Sequence, residues 1–520
     1  MGNQISNEDS SRSLSLKIKD KEALQERNIP THPVEKLAKA LVERCSAEEN
    51  CHGISCRTFT KYVFPTYPRL AELIYQHFLR GREGHEVSKK TISAAAFQSQ
   101  ADKVLTVMSD ERQIELYLRI FSGGDEVRRE VFHELLATAF KLAMDHYPEG
   151  GPQTCPLSER TLNAVVDSAF HRKQQLSVSF LARWIIQNCP RLLLGLHKYI
   201  IHCLSTAHRT IAEPKNLDQG IHLSTPVLER TVTFPDLAAH ARESSSGKST
   251  PDSPHSPKVL GRRRSMSDDL GGGGGGGRRR WGGGNDMLPV SQVWILACAL
   301  PQIYTRPSPL NSPTSSQGLS SLDPQGIMAR MLGMICPSHW VLLYNSREQG
   351  LGANRFMHHV LNYRGPSLTF LQGDGGVEFC LASTDEWKES NHYWGQDECS
   401  IIQLLPLFHI IESGPKLLYM NTSIRGYPFG IRAGKDPRKP SIEVNQSFSV
   451  LNYCGIPYPL LGIEVWGCGT THSREAQLDV KKWEVKQAEK QRKVKLTSSD
   501  WVDHPDRYLL ELAGRQSYNK

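Results

Sequence analysis

Six residues at the start of the chain carry its most specific chemistry. Met1-Gly2-Asn3-Gln4-Ile5-Ser6 fits the N-myristoylation pattern, because loss of the methionine makes Gly2 the new terminus and a hydroxyl residue stands at position 6. One myristoyl chain holds a membrane with an association constant of only about 10⁴ M⁻¹, so stable residence needs a second contact. The neighbouring arm does not supply it. Within the first thirty residues, Arg12, Lys17, Lys19, Lys21 and Arg27 are balanced by Glu8, Asp9, Asp20, Glu22 and Glu26.

A second chemistry-bearing cluster lies mid-chain, where Arg262, Arg263 and Arg264 precede Ser265 and Ser267, and Arg278, Arg279 and Arg280 follow a glycine run. These arginines fit an electrostatic switch: each basic side chain near an anionic membrane face contributes about 1 kcal/mol, and phosphate on Ser265 or Ser267 would weaken the attraction. Solubilising linker charge and a nuclear-import patch fit the same residues, and Asp268 and Asp269 dilute the field.

Catalysis needs a nucleophile and a base held in geometry. Ser346, His358, His359, Cys399, His409 and Glu464 are the candidates, yet no short signature links them: Gly-x-Ser-x-Gly, the phosphate-binding loop and His-Glu-x-x-His are all absent. Cys45, Cys51, His52 and Cys56 suggest a metal cluster, but five and four intervening residues without a second pair fit zinc poorly. The reading is of a protein without catalytic residues, cofactor or metal site.

The elements that must carry these residues follow from composition and pattern. The chain has 520 residues, 39% hydrophobic and 22% charged, with a net charge of +8, enough for two or three cores. Twelve cysteines without a paired framework, no secretory signal and no run of eighteen apolar residues point to a cytosolic protein whose membrane contact is peripheral. A disordered, myristoylated arm is expected over residues 1–32. Residues 33–212 carry helical periodicity, as in Leu37, Leu41, Val42 and Cys45, and in Val131, Leu135, Leu136 and Phe140; Pro190 ends the helix that carries Trp184. No stretch has the spacing of a calcium loop, and residues 121–126 come nearest. Residues 213–285 read as a mostly disordered Ser/Pro/Gly/Arg linker that lets the flanking domains move independently.

From residue 338 to residue 469 short apolar strands alternate with turns. Trp340-Val341-Leu342-Leu343-Tyr344-Asn345-Ser346 opens the run, Asp374-Gly375 is a hairpin signal leading to Phe379, and Gly462-Ile463-Glu464-Val465-Trp466-Gly467 closes it. With Trp387, Gly395 and the pair Phe429-Gly430, this order of motifs resembles the TLDc family. It departs from the family at Cys380, where glycine is usual, and at residues 423–428, where a richer glycine run is usual. The expected fold class is α+β: a helical, degenerate EF-hand-like N-terminal domain, a flexible linker, a two-sheet β-sandwich TLDc-like domain over residues 286–469 with flanking helices and a disordered insertion at 305–323, and a C-terminal helical tail over residues 470–520. Several strands, such as Ile401-Ile402-Gln403-Leu404-Leu405, are apolar on both faces, which a simple sandwich does not require. In the tail, residues 473–495 hold eight basic and four acidic side chains on a weakly amphipathic helix suited to lying along a protein partner.

The combination of myristoylation signal, helical domain, TLDc-like domain and terminal helix is similar to the MTOR-associated lysosomal TLDc subfamily and its fungal relatives in telomere-capping nomenclature. That resemblance implies a non-catalytic adaptor, cytoplasmic and peripheral on the lysosomal membrane, that binds the V-ATPase and supports MTOR signalling with MTOR pathway components as partners. An alternative implied by the family is resistance to oxidative stress without stable membrane residence. Glu464, with Trp466 and Gly467, is the expected functional or structural motif of the TLDc-like part. Nucleic acid is not an expected partner, because the excess charge sits in the linker and tail without interleaved aromatics.

Overall fold

The computed structural model describes residues 33–81, 91–107, 109–147, 155, 157–212, 288–305, 337, 339–492, 509 and 512. Gly2, Arg262 to Arg264, Ser265, Ser267, Arg278 to Arg280, the rest of residues 213–285 and the insertion at 306–323 lie outside them. The helical part comprises α1 (Pro33–Glu49), α2 (Cys56–Val63), α3 (Pro68–Arg80), α4 (Ala94–Leu105), α5 (Asp110–Ser122), α6 (Arg129–Asp145), α7 (Ser158–Phe170), α8 (Val178–Asn188) and α9 (Leu194–Ala212), with two short strands, β1 (Glu126–Arg128) and β2 (Gln175–Ser177).

A local code recurs at the joints between these helices. A buried aliphatic residue is followed by a serine, and the serine side chain caps the next helix: Ile54 then Ser55 before α2, Ile92 then Ser93 before α4, and Leu176 then Ser177 before α8. Each serine oxygen accepts from a backbone N–H three residues on, satisfying one orphan donor of the first turn. The aliphatic residues then pair across units. Ile54 and Ile92 exchange backbone hydrogen bonds of 2.7 and 2.9 Å, and β1 pairs antiparallel with β2 so that Val127 faces Leu176. Four helix–loop–helix units are thereby tied into two pairs.

The sheet part contains β3 (Val341–Asn345), α12 (Ser346–Gln349), α13 (Ala353–Val360), β4 (Ser367–Gly373), β5 (Glu378–Ser383), β6 (Ser400–Leu405), β7 (His409–Ser413), β8 (Leu418–Asn421), β9 (Gly430–Ala433), β10 (Ile442–Val444), β11 (Val450–Tyr453) and β12 (Ile456–Gly467), followed by α14 (Thr471–Arg492). All pairings are antiparallel. β12 joins two sheets: its first half pairs with β11, continuing through β10 and β9 to β8, while its second half lies between β3 and β4, continuing through β5 and β6 to β7. The expected Asp374-Gly375 turn does link β4 to β5, with Gly375 at φ 72°, a value glycine reaches without strain.

The period of two along the strands sorts side chains to two cores. Leu371, Phe379, Leu381, Ile401, Ile463 and Val465 point between the sheets, where they meet Leu418, Met420, Ile431, Ile442 and Val444. Phe370, Cys380, Ala382, Ile402, Leu404 and Trp466 point the other way, into a core shared with the helical part. Two short helices, α10 (Val290–Ala299) and α11 (Gln302–Thr305), precede the sandwich, and every residue of α10 is buried. Trp294 of α10 stacks edge-on against Phe140 at 5.3 Å, and Gln292 donates to Glu378 at 2.6 Å. This second cover explains why β6 is apolar on both faces.

The helical part and the sandwich therefore form one compact unit, which corrects the expectation of a helical domain with a separate core that moves independently. The join is also polar: Phe408 N–H donates to the Ala164 carbonyl at 3.1 Å, and Asn188 Oδ1 accepts from Ile410 N–H at 3.3 Å on the outer strand β7.

Candidate interaction site

Every residue of the Glu464-Val465-Trp466-Gly467 motif is buried. Glu464 is fully enclosed on β12, opposite Asn345 on β3, and its Oε1 accepts from Asn345 Nδ2 at 3.3 Å. Trp466 is 2% exposed and belongs to the core shared with the helices. Gly467 lies against the Tyr363 ring so closely that a Cβ would stand 2.5 Å from Tyr363 Cζ. The motif is thus placed to hold the sandwich and its flanks together, not to touch a partner directly.

Tyr363 organises the chain beyond this motif. Its hydroxyl accepts from Gly469 N–H at 2.9 Å, and burial pushes its pKa up to about 12. Glycines at 467 and 469 let the backbone pass over the ring, and the chain then turns into α14. In its first turns α14 docks on the end of α13. Gln477, fully buried, donates its side-chain amide to the carbonyls of His359, Val360 and Leu361 at 3.0, 3.4 and 2.8 Å. These are carbonyls that a helix C-terminus leaves without intrahelical partners. Lys481 Nζ donates to the His359 carbonyl at 3.3 Å; burial, with Arg474 adding repulsion, lowers its pKa to about 8.

Past this anchor a further contact holds α14 to the body, from Asn362 Nδ2 to Glu484 Oε1 at 3.4 Å, and the outer face of the helix is open. Val480, Trp483 and Val485 are 37, 61 and 42% exposed, on a helix whose remaining surface is largely charged. A large aromatic side chain presented on a helix fixed at one end can do one thing well, which is to fill an apolar pocket on another protein. Further along the expected helical tail only Leu509 and Leu512 are described, and both are helical and exposed.

The catalytic candidates are spread through the unit in structural settings. Ser346 Oγ accepts from Ile463 N–H at 2.8 Å, the His359 ring stacks on Tyr344, Cys399 Sγ lies 3.6 Å from Thr384 Oγ1, and His409 opens β7. Cys45 is buried on α1, and the Cys51 thiol donates to the Glu49 carbonyl. Among the described residues no group of three or more His, Cys, Asp or Glu side chains is arranged to hold a metal ion. In the loop at residues 121–126, Asp125 is taken up by Arg119 at 3.0 Å. No described helix is long and apolar enough to cross a membrane.

Gln477 and Tyr363 carried no sequence signal of their own. The paired glycines 467 and 469 were the available hint, since a glycine in a strand end often marks a close backbone approach.

Comparison with known proteins agrees with this architecture. The model of the TLDc domain family matches residues 325–454, so the chain contains a TLDc domain. Similar proteins include two named "Restriction of telomere capping protein 5". The one from Lachancea thermotolerans is 28% identical over 179 residues, covering 29% of this chain and 32% of that protein. The one from Kluyveromyces lactis is 25% identical over 257 residues, covering 34% of this chain and 44% of that protein. The match thus spans less than half the length of these curated relatives.

Proposed function

We propose that this TLDc protein is a non-catalytic adaptor recruited to the lysosomal membrane, where it binds the V-ATPase and supports MTOR signalling. The observation that carries the reading is α14: it is fixed to the sandwich through Gln477 and presents Trp483, 61% exposed, on its outer face. Supporting it are the Gly2 myristoylation pattern and the resemblance to the lysosomal TLDc subfamily. The helical part is read as two degenerate EF-hand-like pairs serving as a scaffold without calcium. The Ile54–Ile92 and Val127–Leu176 pairings favour that reading, and so does the diversion of Asp125 to Arg119.

The test is affinity capture of the myristoylated chain from detergent-solubilised lysosomal membranes, beside Gly2→Ala, Trp483→Ala and a chain ending at Gly469, with V-ATPase subunits quantified. Recovery of the pump that survives Gly2→Ala in detergent but falls with Trp483→Ala and with loss of the tail supports the adaptor. Absence of the pump from every capture refutes it and shifts weight to a role in oxidative-stress resistance.

A further inference from the structure

Between Asp167 and Glu213 the chain contains no carboxylate side chain, while Arg172, Lys173, Arg183, Arg191, Lys198 and Arg209 fall inside that interval. The fold brings three of these cations near one surface. Arg172 and Lys173 stand in the loop between α7 and β2, Arg183 stands on α8, and all three are exposed. No ion pair among the described residues engages any of them.

Beside the cations lie apolar side chains without cover. The inner face of α8 buries Val178, Leu181, Ala182, Trp184 and Ile185, but Phe180 and Ile186 are 45 and 36% exposed, three residues to either side of Arg183 and so on its side of the helix. Lys173 Nζ lies 6.0 Å from the Phe180 ring centroid, which ties the loop to this face. The loop turns through two successive left-handed residues, His171 at φ 43° and Arg172 at φ 71°, neither of them glycine. A protein surface usually intersperses both signs of charge. The carboxylates at the head of β1 that lie alongside β2, Asp125 and Glu126, are engaged by Arg119 and Gln175, so three cations without an ion pair among the described residues flank two solvent-exposed apolar groups.

The complement of such a face is a surface that is anionic and admits apolar side chains to shallow depth. The headgroup layer of an anionic bilayer has both properties: it attracts Lys and Arg, and it takes up Phe and Ile at the acyl boundary. We propose that the outer face of α8, with the loop before β2, binds anionic phospholipid and supplies the second membrane contact that a single myristoyl chain requires. The proposal rests on the reading of the protein as membrane-recruited.

The test is partition of the myristoylated full chain onto vesicles of phosphatidylcholine alone and of phosphatidylcholine with about a third phosphatidylserine, at low and high salt. The expected result is salt-sensitive preference for the anionic vesicles. The triple variant Arg172→Gln, Lys173→Gln, Arg183→Gln lowers that binding about a hundredfold, at roughly fivefold for each basic side chain neutralised. Phe180→Ser lowers it further, while a control triple at exposed positions elsewhere, Arg57→Gln, Lys103→Gln, Arg112→Gln, does not. Every position lies on the surface, so thermal unfolding midpoints should match wild type. Wild-type affinity in the α8 triple, an equal loss in the control triple, or equal wild-type binding to both vesicles would overturn the proposal. If binding then still disappears with Gly2→Ala, membrane recruitment stands without it. If the wild-type chain binds neither vesicle, both readings fall. Binding of the α8 face to an acidic peptide, with vesicle binding untouched in the triple, would assign the patch to a protein instead.

Discussion

Gln477 Nε2 lies 2.8 Å from the Leu361 carbonyl oxygen, so one side chain of α14 closes the end of a helix that precedes it by more than a hundred residues. Gln477 itself is fully buried, and loss of its amide takes a donor from three carbonyls at the end of α13. Gln477→Ala should cost about 1–3 kcal/mol, concentrated in the docking of α14. Hydrogen exchange checks this: amides in the first turns of α14 should exchange faster, while those of β4, β5 and β6 should keep their protection.

Gly467→Ala places a methyl group 2.5 Å from Tyr363 Cζ, closer than any real contact. The ring has nowhere to go, because it is 2% exposed and holds Gly469. A loss of about 2–4 kcal/mol is expected in urea unfolding, as for other overpacked or strained core sites. In a double-mutant cycle with Tyr363→Ala the two losses should be smaller together than their sum.

Glu464 and Asn345 make a buried polar pair across β12 and β3. Glu464→Ala leaves the Asn345 amide without this acceptor and opens a cavity, so destabilisation of about 3 kcal/mol or more is expected. Glu464→Gln keeps shape and acceptor and should fold. If the proposed binding to the V-ATPase holds, capture by folded Glu464→Gln separates the roles: retained capture means Glu464 is structural, and lost capture means its charge is used.

Tyr117 on α5 and His197 on α9 meet at 2.8 Å between Tyr117 Oη and His197 Nδ1, both buried. Burial lowers the His197 pKa to about 4, so the neutral ring is the folded form and its Nδ1 accepts from the tyrosine hydroxyl. The unfolded chain takes up a proton near pH 6.5, and the folded one does so only near 4. The stabilisation is therefore complete above about pH 6.5 and is lost as pH falls towards 4, by about 3 kcal/mol at the end of that window. Denaturant unfolding of wild type against His197→Gln should show this part of the acid slope disappearing in the variant.

Trp483→Ala removes an exposed side chain and should leave the urea midpoint within about 0.5 kcal/mol of wild type. If Trp483 is the anchor of α14 on the pump, affinity should drop by about 2 kcal/mol or more, a factor near thirty. Urea unfolding reads the first number, and equilibrium binding to purified V-ATPase reads the second.

What the sequence determined by itself is local. Serines after Ile54, Ile92 and Leu176 cap helices because capping is settled within four residues. Asp374-Gly375 makes the β4–β5 turn because only a few residue types reach positive φ cheaply. The TLDc character was likewise readable from the order of strands and glycines, and the family match covers residues 325–454. The tertiary structure decided the rest. The two-faced apolarity of β6 could not by itself say what covers the second face; α10 and the helical part do, and that contact merges two expected domains into one unit. Nor could spacing reveal that Gln477 finds His359 and Leu361, or that Phe180 and Arg183 remain uncovered beside Arg172 and Lys173. Those outcomes depend on which surfaces meet after the chain closes long loops. Periodicity reports that a face is apolar or charged, and only packing settles which neighbour, if any, removes it from water.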